Sequence, residues 1–143
     1  MANLRDWQKA ILARLHELLP VDQVYEEGVP DEAELPMYDS RRVKPYIVAW
    51  WGQRVDGGLG FNSLGGVRTN AHTVPFILQI CGPTGPAVRD LAEAVSDLLL
   101  GFQPLGEGEL REDGAGTIRQ PLDMSGVNSR YQVPVSYVGT VDV

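Results

Sequence analysis

Residues 74–104 read VPFILQICGPTGPAVRDLAEAVSDLLLGFQP, which predicts a strand, a tight turn and an amphipathic helix in succession. The apolar run 76–81 is typical of a buried strand, and Gly82 ends it. Thr84 and Pro86 stand where a capping hydroxyl and an early proline open a helix. Apolar residues then recur at helical spacing, at Val88, Leu91, Val95, Leu98 and Phe102. The unit is a sheet strand with its covering helix, and it indicates a scaffold rather than a catalytic site.

The flanking segments predict a second helix and further strands. Asn3 caps a helix that reaches about residue 19. A weak strand begins at residue 24, and residues 45–52, PYIVAWWG, form a strand with large side chains on both faces. The terminal run RYQVPVSYVGTVDV alternates in polarity, and Pro134 favours a sheet edge for it. The predicted fold is an α+β two-layer sandwich, with two helices on one face of a mainly antiparallel or mixed sheet of about four to five strands.

We expect residues 1–143 to form a single domain, because a chain of this length buries roughly two-thirds of the surface that it exposes when unfolded. Long loops are predicted at about residues 26–44 and 54–72. The second loop is rich in glycine, and a structureless insertion of this length is usually functional or disordered. The alternative is an extended hairpin that becomes ordered only on assembly.

Charge and hydropathy argue against a nucleic-acid or membrane partner. The formal net charge is −7, whereas nucleic-acid binding depends on neutralising phosphates with Lys and Arg. Arg41, Arg42 and Lys44 form a local basic group, for which a solvated loop or contact with an acidic neighbouring subunit is favoured over a DNA contact. The sequence shows no signal peptide and no apolar run long enough to span a bilayer, which predicts a cytoplasm-like environment.

The residues that catalysis would need are not grouped in the sequence. Cys81, the only cysteine, ends an apolar strand and is expected to be an inert core thiol. His16 and His72 have no neighbouring cysteine or carboxylate pair that would complete a zinc site. Neither a nucleophile elbow nor a phosphate-binding loop is present. A solvated acidic loop is favoured over a cation site for Asp31, Glu32, Glu34 and Asp39. We therefore predict no enzymatic activity, no cofactor and no bound metal.

The order of these segments resembles the tail terminator proteins of long-tailed bacteriophages (siphophages), especially those that infect actinobacteria, and more distantly the lambda-type minor tail terminator. The resemblance covers nearly the whole chain, and the strand VPFILQICG with the helix PAVRDLAEAVSDLLLGFQP carries most of it. It implies a virion protein of the tail–neck junction, assembled in the host bacterial cytoplasm. Such a protein forms a homo-hexameric ring that caps the head-proximal end of the tail tube and ends tube polymerisation.

The implied partners are other copies of the chain, the tail tube protein and a head-completion or neck protein, with genomic DNA only as cargo passing through the lumen. The acidic charge suits such a lumen. Two alternatives stay open: another neck or head–tail connector subunit, and a small ligand-binding or enzymatic α+β domain with its site in the glycine-rich loop. A subunit or partner interface is predicted at Trp50, Trp51, Arg54, Phe61, Arg68, Tyr131 and Tyr137.

Overall fold

One mixed sheet and two helices make up the described part of the chain, residues 3–28, 35–38, 42–56, 71–113, 122–124 and 130–142, in this computed structural model. The helices are α1 (Leu4–Leu15) and α2 (Gly85–Leu99). The strands are β1 (Val24–Glu26), β2 (Tyr46–Trp51), β3 (Val55–Asp56), β4 (Ala71–Gly82), β5 (Arg111–Asp113), β6 (Leu122–Met124) and β7 (Arg130–Asp142). Short 3-10 turns lie at Val21–Gln23 and Pro104–Gly106.

Five strands form the body of the sheet, in the order β1-β2-β4-β7-β5. β1 runs parallel to β2, and the other described pairs are antiparallel. β3 pairs with residues 72–73 of β4, and β6 pairs with the first residues of β7. The predicted α+β fold with a mixed sheet is confirmed.

The base of the glycine-rich insertion is paired strand. Val55 and Asp56 lie opposite Thr73 and His72, so both ends of the predicted loop 54–72 extend the sheet. The extended hairpin between these two ends stays a prediction. Residues 57–70, with Phe61 and Arg68, lie outside the described residues.

Both helices begin where their capping residues predict. The Asn3 carboxamide oxygen accepts a hydrogen bond from the backbone N–H of Arg5 at 2.8 Å. The Thr84 hydroxyl accepts one from the N–H of Ala87 at 3.2 Å. Each cap satisfies a donor that the first helical turn would otherwise leave without a partner. The α-helical part of α1 ends at Leu15, short of the predicted residue 19.

The main core lies between the helices and one face of the sheet. α1 contributes Trp7, Ile11 and Leu15, and α2 contributes Val88, Val95 and Leu99. The sequence placed Leu98 in the apolar stripe of α2, but Leu99 is the fully buried residue and Leu98 is only partly covered. The sheet side of this core is formed by Ile47, Ala49, Phe76, Leu78, Ile80, Val133, Val135 and Tyr137. Both helices therefore cover one face of the sheet, as the α+β prediction required.

The position of β7 corrects the sequence prediction. Pro134 was expected to place this strand at a sheet edge, yet β7 lies inside the sheet, with β4 on one side and β5 and β6 on the other. Residues 130–132 pair with β6 and residues 136–138 pair with β5. Pro134 lies between these two paired stretches, where neither described strand reaches. A residue without a backbone N–H is tolerated at such a gap.

Candidate functional site

The face of the sheet opposite the helices is only partly covered. Trp50, Ile77 and Ser136 lie side by side on adjacent strands, so their side chains share this face. The side chain of Trp50 is 36% exposed and that of Ile77 is 42% exposed. Exposed Pro134 and partly covered Val138 continue the surface along β7. We call the outward surface around Trp50, Ile77, Pro134 and Val138 the open face, and its two large apolar side chains are typical of a protein contact.

Glutamine side chains hold the centre of the open face in place. The Trp50 indole Nε1 donates a hydrogen bond to Gln79 Oε1 at 3.1 Å. The Gln79 amide nitrogen donates in turn to the carboxamide oxygen of Gln132. These hydrogen bonds orient the Trp50 side chain, which stays partly accessible, and an accessible aromatic side chain is suited to anchor a partner.

A basic turn covers the neighbouring end of the same face. The N–H of Tyr38 donates to the carbonyl of Arg42 at 2.8 Å, and the N–H of Lys44 donates to the carbonyl of Pro36 at 2.7 Å. These bonds direct Val43 inward, where it is fully buried, and leave Tyr38 59% exposed. Arg42 and Lys44 lie 5.9 and 6.0 Å from the centroid of the Tyr38 ring, within cation–π range.

Beneath this turn a second, small core contains Tyr46, Val48 and Cys81. Burial raises the pKa of Cys81 to about 11, an effect that the Tyr46 hydroxyl and the Arg130 cation only partly offset. Burial also raises the pKa of Tyr46. Both groups are therefore neutral near pH 7, and the thiol lacks the thiolate character that a reactive cysteine needs. The predicted core position of Cys81 is confirmed.

The two tryptophans of β2 face opposite sides of the sheet. Trp50 belongs to the open face, whereas Trp51 faces the helices and packs against Phe76 with a ring-centroid distance of 5.4 Å. The Trp51 indole Nε1 donates to Glu26 at 2.8 Å. Hydrogen bonds from the Arg5 guanidinium, and secondarily from Trp51, lower the pKa of Glu26. Trp51 is thus anchored within the subunit, and Trp50 is the better candidate for a partner contact.

The structure corrects the interface prediction at Tyr137. Its ring is fully buried, stacks on Phe76 at a centroid distance of 5.6 Å and lies with its hydroxyl 2.8 Å from that of Ser96. A side chain enclosed in this way has no surface for a partner. The alternation along β7 separates its two faces, and the face that carries Tyr137 belongs to the core rather than to an interface. Arg54 is exposed, and its predicted contact stays a prediction.

Tyr131 lines a shallow open cleft of about 460 Å³, together with Gly85, Pro86, Arg89 and Asp90 at the start of α2. The cleft is distant in sequence from the glycine-rich loop, which would hold the site in the ligand-binding alternative. Among the described residues, no group of three or more His, Cys, Asp or Glu side chains could hold a metal ion. Residues 31–34 and Asp39 lie outside the described part. Within that part no helix has the length and apolar character needed to cross a membrane.

Two large apolar side chains that the sequence does not predict to be exposed lie at and just after the end of α2. Leu100 and Leu105 are 44% and 52% exposed, and Leu105 has φ 55° and ψ 24°. A non-glycine residue rarely adopts this left-handed conformation. We call Leu100 and Leu105 with their connecting residues the leucine turn. The three consecutive leucines at 98–100 are the one sequence signal for this exposure, because they cannot all face the core from one helix. No local sequence pattern predicts that Leu105 adopts a left-handed backbone.

Comparison with known proteins reveals a fold likeness and no sequence family. No protein-family model and no curated protein matches the chain. A chain from the virion of a native gene transfer agent particle is similar in structure, with a TM-score of 0.55 and 15% identity over 95% of this chain and 94% of that chain. A second solved chain has a TM-score of 0.48 and 14% identity over 95% of this chain and 96% of its own. At 15% identity, the first likeness shows that a virion protein has the same α+β fold.

Proposed function

We propose that this chain is a structural subunit of a phage-type virion: a tail terminator that forms a hexameric ring at the head-proximal end of the tail tube. The ring ends tube polymerisation and offers a joining surface to a head-completion or neck protein. DNA passes through its lumen as cargo. In this proposal the chain acts by assembly rather than by catalysis.

The open face is the observation that carries the proposal. Trp50 and Ile77 leave exposed apolar area on the side of the sheet that the helices do not cover. Burying apolar surface stabilises an association by about 25 cal/mol per Å² before the costs of binding are subtracted. A subunit that assembles would bury this area, whereas a protein that remains monomeric would keep it in water.

Three further observations support the proposal. The fold is shared, over nearly the whole length of both chains, with a chain of a gene transfer agent virion. The segment order of the sequence independently resembles phage tail terminators. The described residues also hold Cys81 as a neutral, buried thiol, which suits a structural protein.

Oligomeric state tests the proposal directly. We expect native mass spectrometry of the concentrated protein to show a hexamer, or cryo-microscopy of tails to show a hexameric ring at the head-proximal end. Ile77→Thr should weaken ring formation, because it removes apolar surface while keeping a β-branched residue in β4. Val21→Thr is the matched control, since Val21 is 74% exposed but lies outside the open face. A protein that stays monomeric and is absent from the tail overturns the proposal.

A neck or head–tail connector subunit is the second candidate, because the same exposed apolar face suits any subunit of a closed ring. A ring of different symmetry, or one found on the head side of the junction, favours this candidate. The cleft at Tyr131 provides the test of a ligand-binding role. A small molecule that raises the melting temperature of the wild type, but not of an Arg89→Ala variant, would favour that role over assembly.

A further inference from the structure

We propose that Glu27 is a conformational switch at the end of β1, where its carboxylate and its own backbone carbonyl compete for the backbone N–H of Trp51. This inference goes beyond the proposed function, because it concerns the free subunit and does not depend on ring formation. Three observations support it: the backbone conformation of Glu27, its two hydrogen bonds to β2, and the anchoring of Glu26.

Glu27 follows β1 in a conformation that strands do not use. Its φ is 54°, in the left-handed region that few non-glycine residues adopt. Its N–H nevertheless donates to the carbonyl of Ala49 at 2.8 Å. Its carboxylate oxygen Oε1 accepts a hydrogen bond from the backbone N–H of Trp51 at 3.0 Å. One residue therefore binds the backbone of β2 through both its main chain and its side chain.

The carboxylate occupies the position of a backbone acceptor. Residues 24–26 of β1 pair in parallel with residues 47–49 of β2. In a regular parallel ladder, the residue whose N–H bonds to Ala49 also accepts, through its own carbonyl, the N–H of Trp51. Continuing the register would therefore give the Trp51 N–H to the Glu27 carbonyl. Because the extended geometry ends at Glu27, the carboxylate takes this donor instead.

The residue before Glu27 is fixed, so a rearrangement can be confined to Glu27. The Glu26 carboxylate accepts hydrogen bonds from the Arg5 guanidinium at 2.5 and 2.9 Å and from the Trp51 indole Nε1 at 2.8 Å. These bonds tie the end of β1 to α1 and β2. Glu27 itself is exposed, so a change in its backbone displaces no core side chain.

Two arrangements of Glu27 satisfy the same donor. In the observed arrangement the carboxylate accepts the Trp51 N–H, and the backbone keeps a strained left-handed conformation. In the other, Glu27 is extended, its carbonyl accepts the N–H, and β1 gains one residue while the carboxylate returns to water. The first has backbone strain and the second lacks the bond to the carboxylate, so neither has every advantage. The switch determines the direction in which the chain leaves the sheet after β1.

Amide hydrogen exchange of Trp51, measured by NMR on the free subunit, tests the switch. Glu27→Val removes the acceptor and disfavours the left-handed region, because Val is β-branched. We expect residue 27 to become extended, as its chemical shifts would show, and the Trp51 amide to stay protected. Glu27→Gly also removes the acceptor but is compatible with a left-handed backbone, so the Trp51 amide should exchange about tenfold faster. Glu27→Gln keeps an acceptor oxygen and should match the wild type.

The Gly52 amide is the internal reference, since it donates to the carbonyl of Pro75 at 2.9 Å on the other side of β2. Rates are compared as the ratio of Trp51 to Gly52, which corrects for any general change in stability. If this ratio rises as much in Glu27→Val as in Glu27→Gly, the second arrangement does not form and the switch is overturned. An unchanged ratio in Glu27→Gly, with residue 27 still left-handed, overturns the role of the carboxylate. Neither result bears on the ring proposal, which the oligomeric state tests separately.

Discussion

Leu105 is the residue at which stability and assembly are expected to conflict. Its left-handed backbone costs a branched L-residue about 1–2 kcal/mol, whereas asparagine tolerates this region well. Because the side chain is half exposed, Leu105→Asn removes little packing. We expect the variant to raise the melting temperature of the monomer by about 2–4 °C and to weaken ring formation. Differential scanning calorimetry below the assembly concentration measures the first effect.

Leu100→Asn is the matched control, since Leu100 is similarly exposed but has φ −64°. It should weaken assembly without the gain in melting temperature. If both variants melt below the wild type, the strain assigned to Leu105 is wrong.

Cys81 should make the protein sensitive to alkali. Burial raises the thiol pKa from about 9 to about 11, so the folded state favours the neutral form. This contribution to stability is complete below the unfolded pKa and is lost as the pH rises through the folded pKa. The free energy of unfolding should fall between about pH 9 and pH 11, and it should fall less steeply in Cys81→Ala. Tyr46, whose pKa is also raised, remains in both proteins, so identical slopes in urea titrations would contradict the role of the thiol.

At the scale of elements, local sequence signals predicted the helix starts and the two faces of β2. Asn3 and Thr84 fixed both helix starts because a cap needs only backbone groups two or three residues away. The two faces of β2 also follow from its period of two. The wrong predictions concerned features that depend on segments far away in the sequence. No residue near Pro134 indicates that two short strands pair with β7 on either side of it. The apolar run of β4 is continuous, so it does not indicate that Ile77 is exposed to solvent.

The candidate site was predictable only in part for the same reason. Trp50 stands out in any sequence as an aromatic residue on a strand with two apolar faces, and it does lie on the open face. Tyr137 looked equivalent, but α2 lies over it and its hydroxyl meets Ser96, 41 residues away. Whether an aromatic residue is core or interface depends on which face the helices cover, and alternation alone carries no such information.

Gly139 determines how closely α1 approaches β7. A Cβ at this position would lie 2.5 Å from Trp7 Cζ2 and 2.9 Å from Leu110 Cδ2, closer than real Cβ contacts. Gly139→Ala should therefore lower the free energy of unfolding by about 1–3 kcal/mol through overpacking, measured by urea denaturation. Gly28→Ala is the control, because the nearest atom to its added Cβ would be the Glu26 carbonyl oxygen at 3.9 Å. Equal effects of the two substitutions would exclude the proposed close packing.

At the scale of the whole molecule, the surplus of negative charge decides how DNA is expected to meet the protein. The formal net charge is −7. Cations and carboxylates are mixed around the open face, since Arg42 and Lys44 lie at one end of it and Glu27 is bonded to the backbone of Ala49 and Trp51 at the other. The proposed hexameric ring would multiply the negative surplus, and a negative lumen would let DNA slide without sticking.

Duplex DNA should consequently bind only weakly. The net charge is −7 per subunit. The dissociation constant for non-specific binding at physiological salt should therefore be ~10⁻⁴ M or larger, measured by fluorescence anisotropy with a labelled duplex. Arg42→Glu with Lys44→Glu should change this affinity no more than Lys9→Glu with Arg89→Glu, a matched exchange at exposed cations outside the basic turn. The two pairs remove the same charge, so only a dedicated contact would distinguish them. Sub-micromolar binding that depends on DNA sequence and is lost with the first pair alone would show that the basic turn binds nucleic acid, and the cargo role of DNA would be wrong.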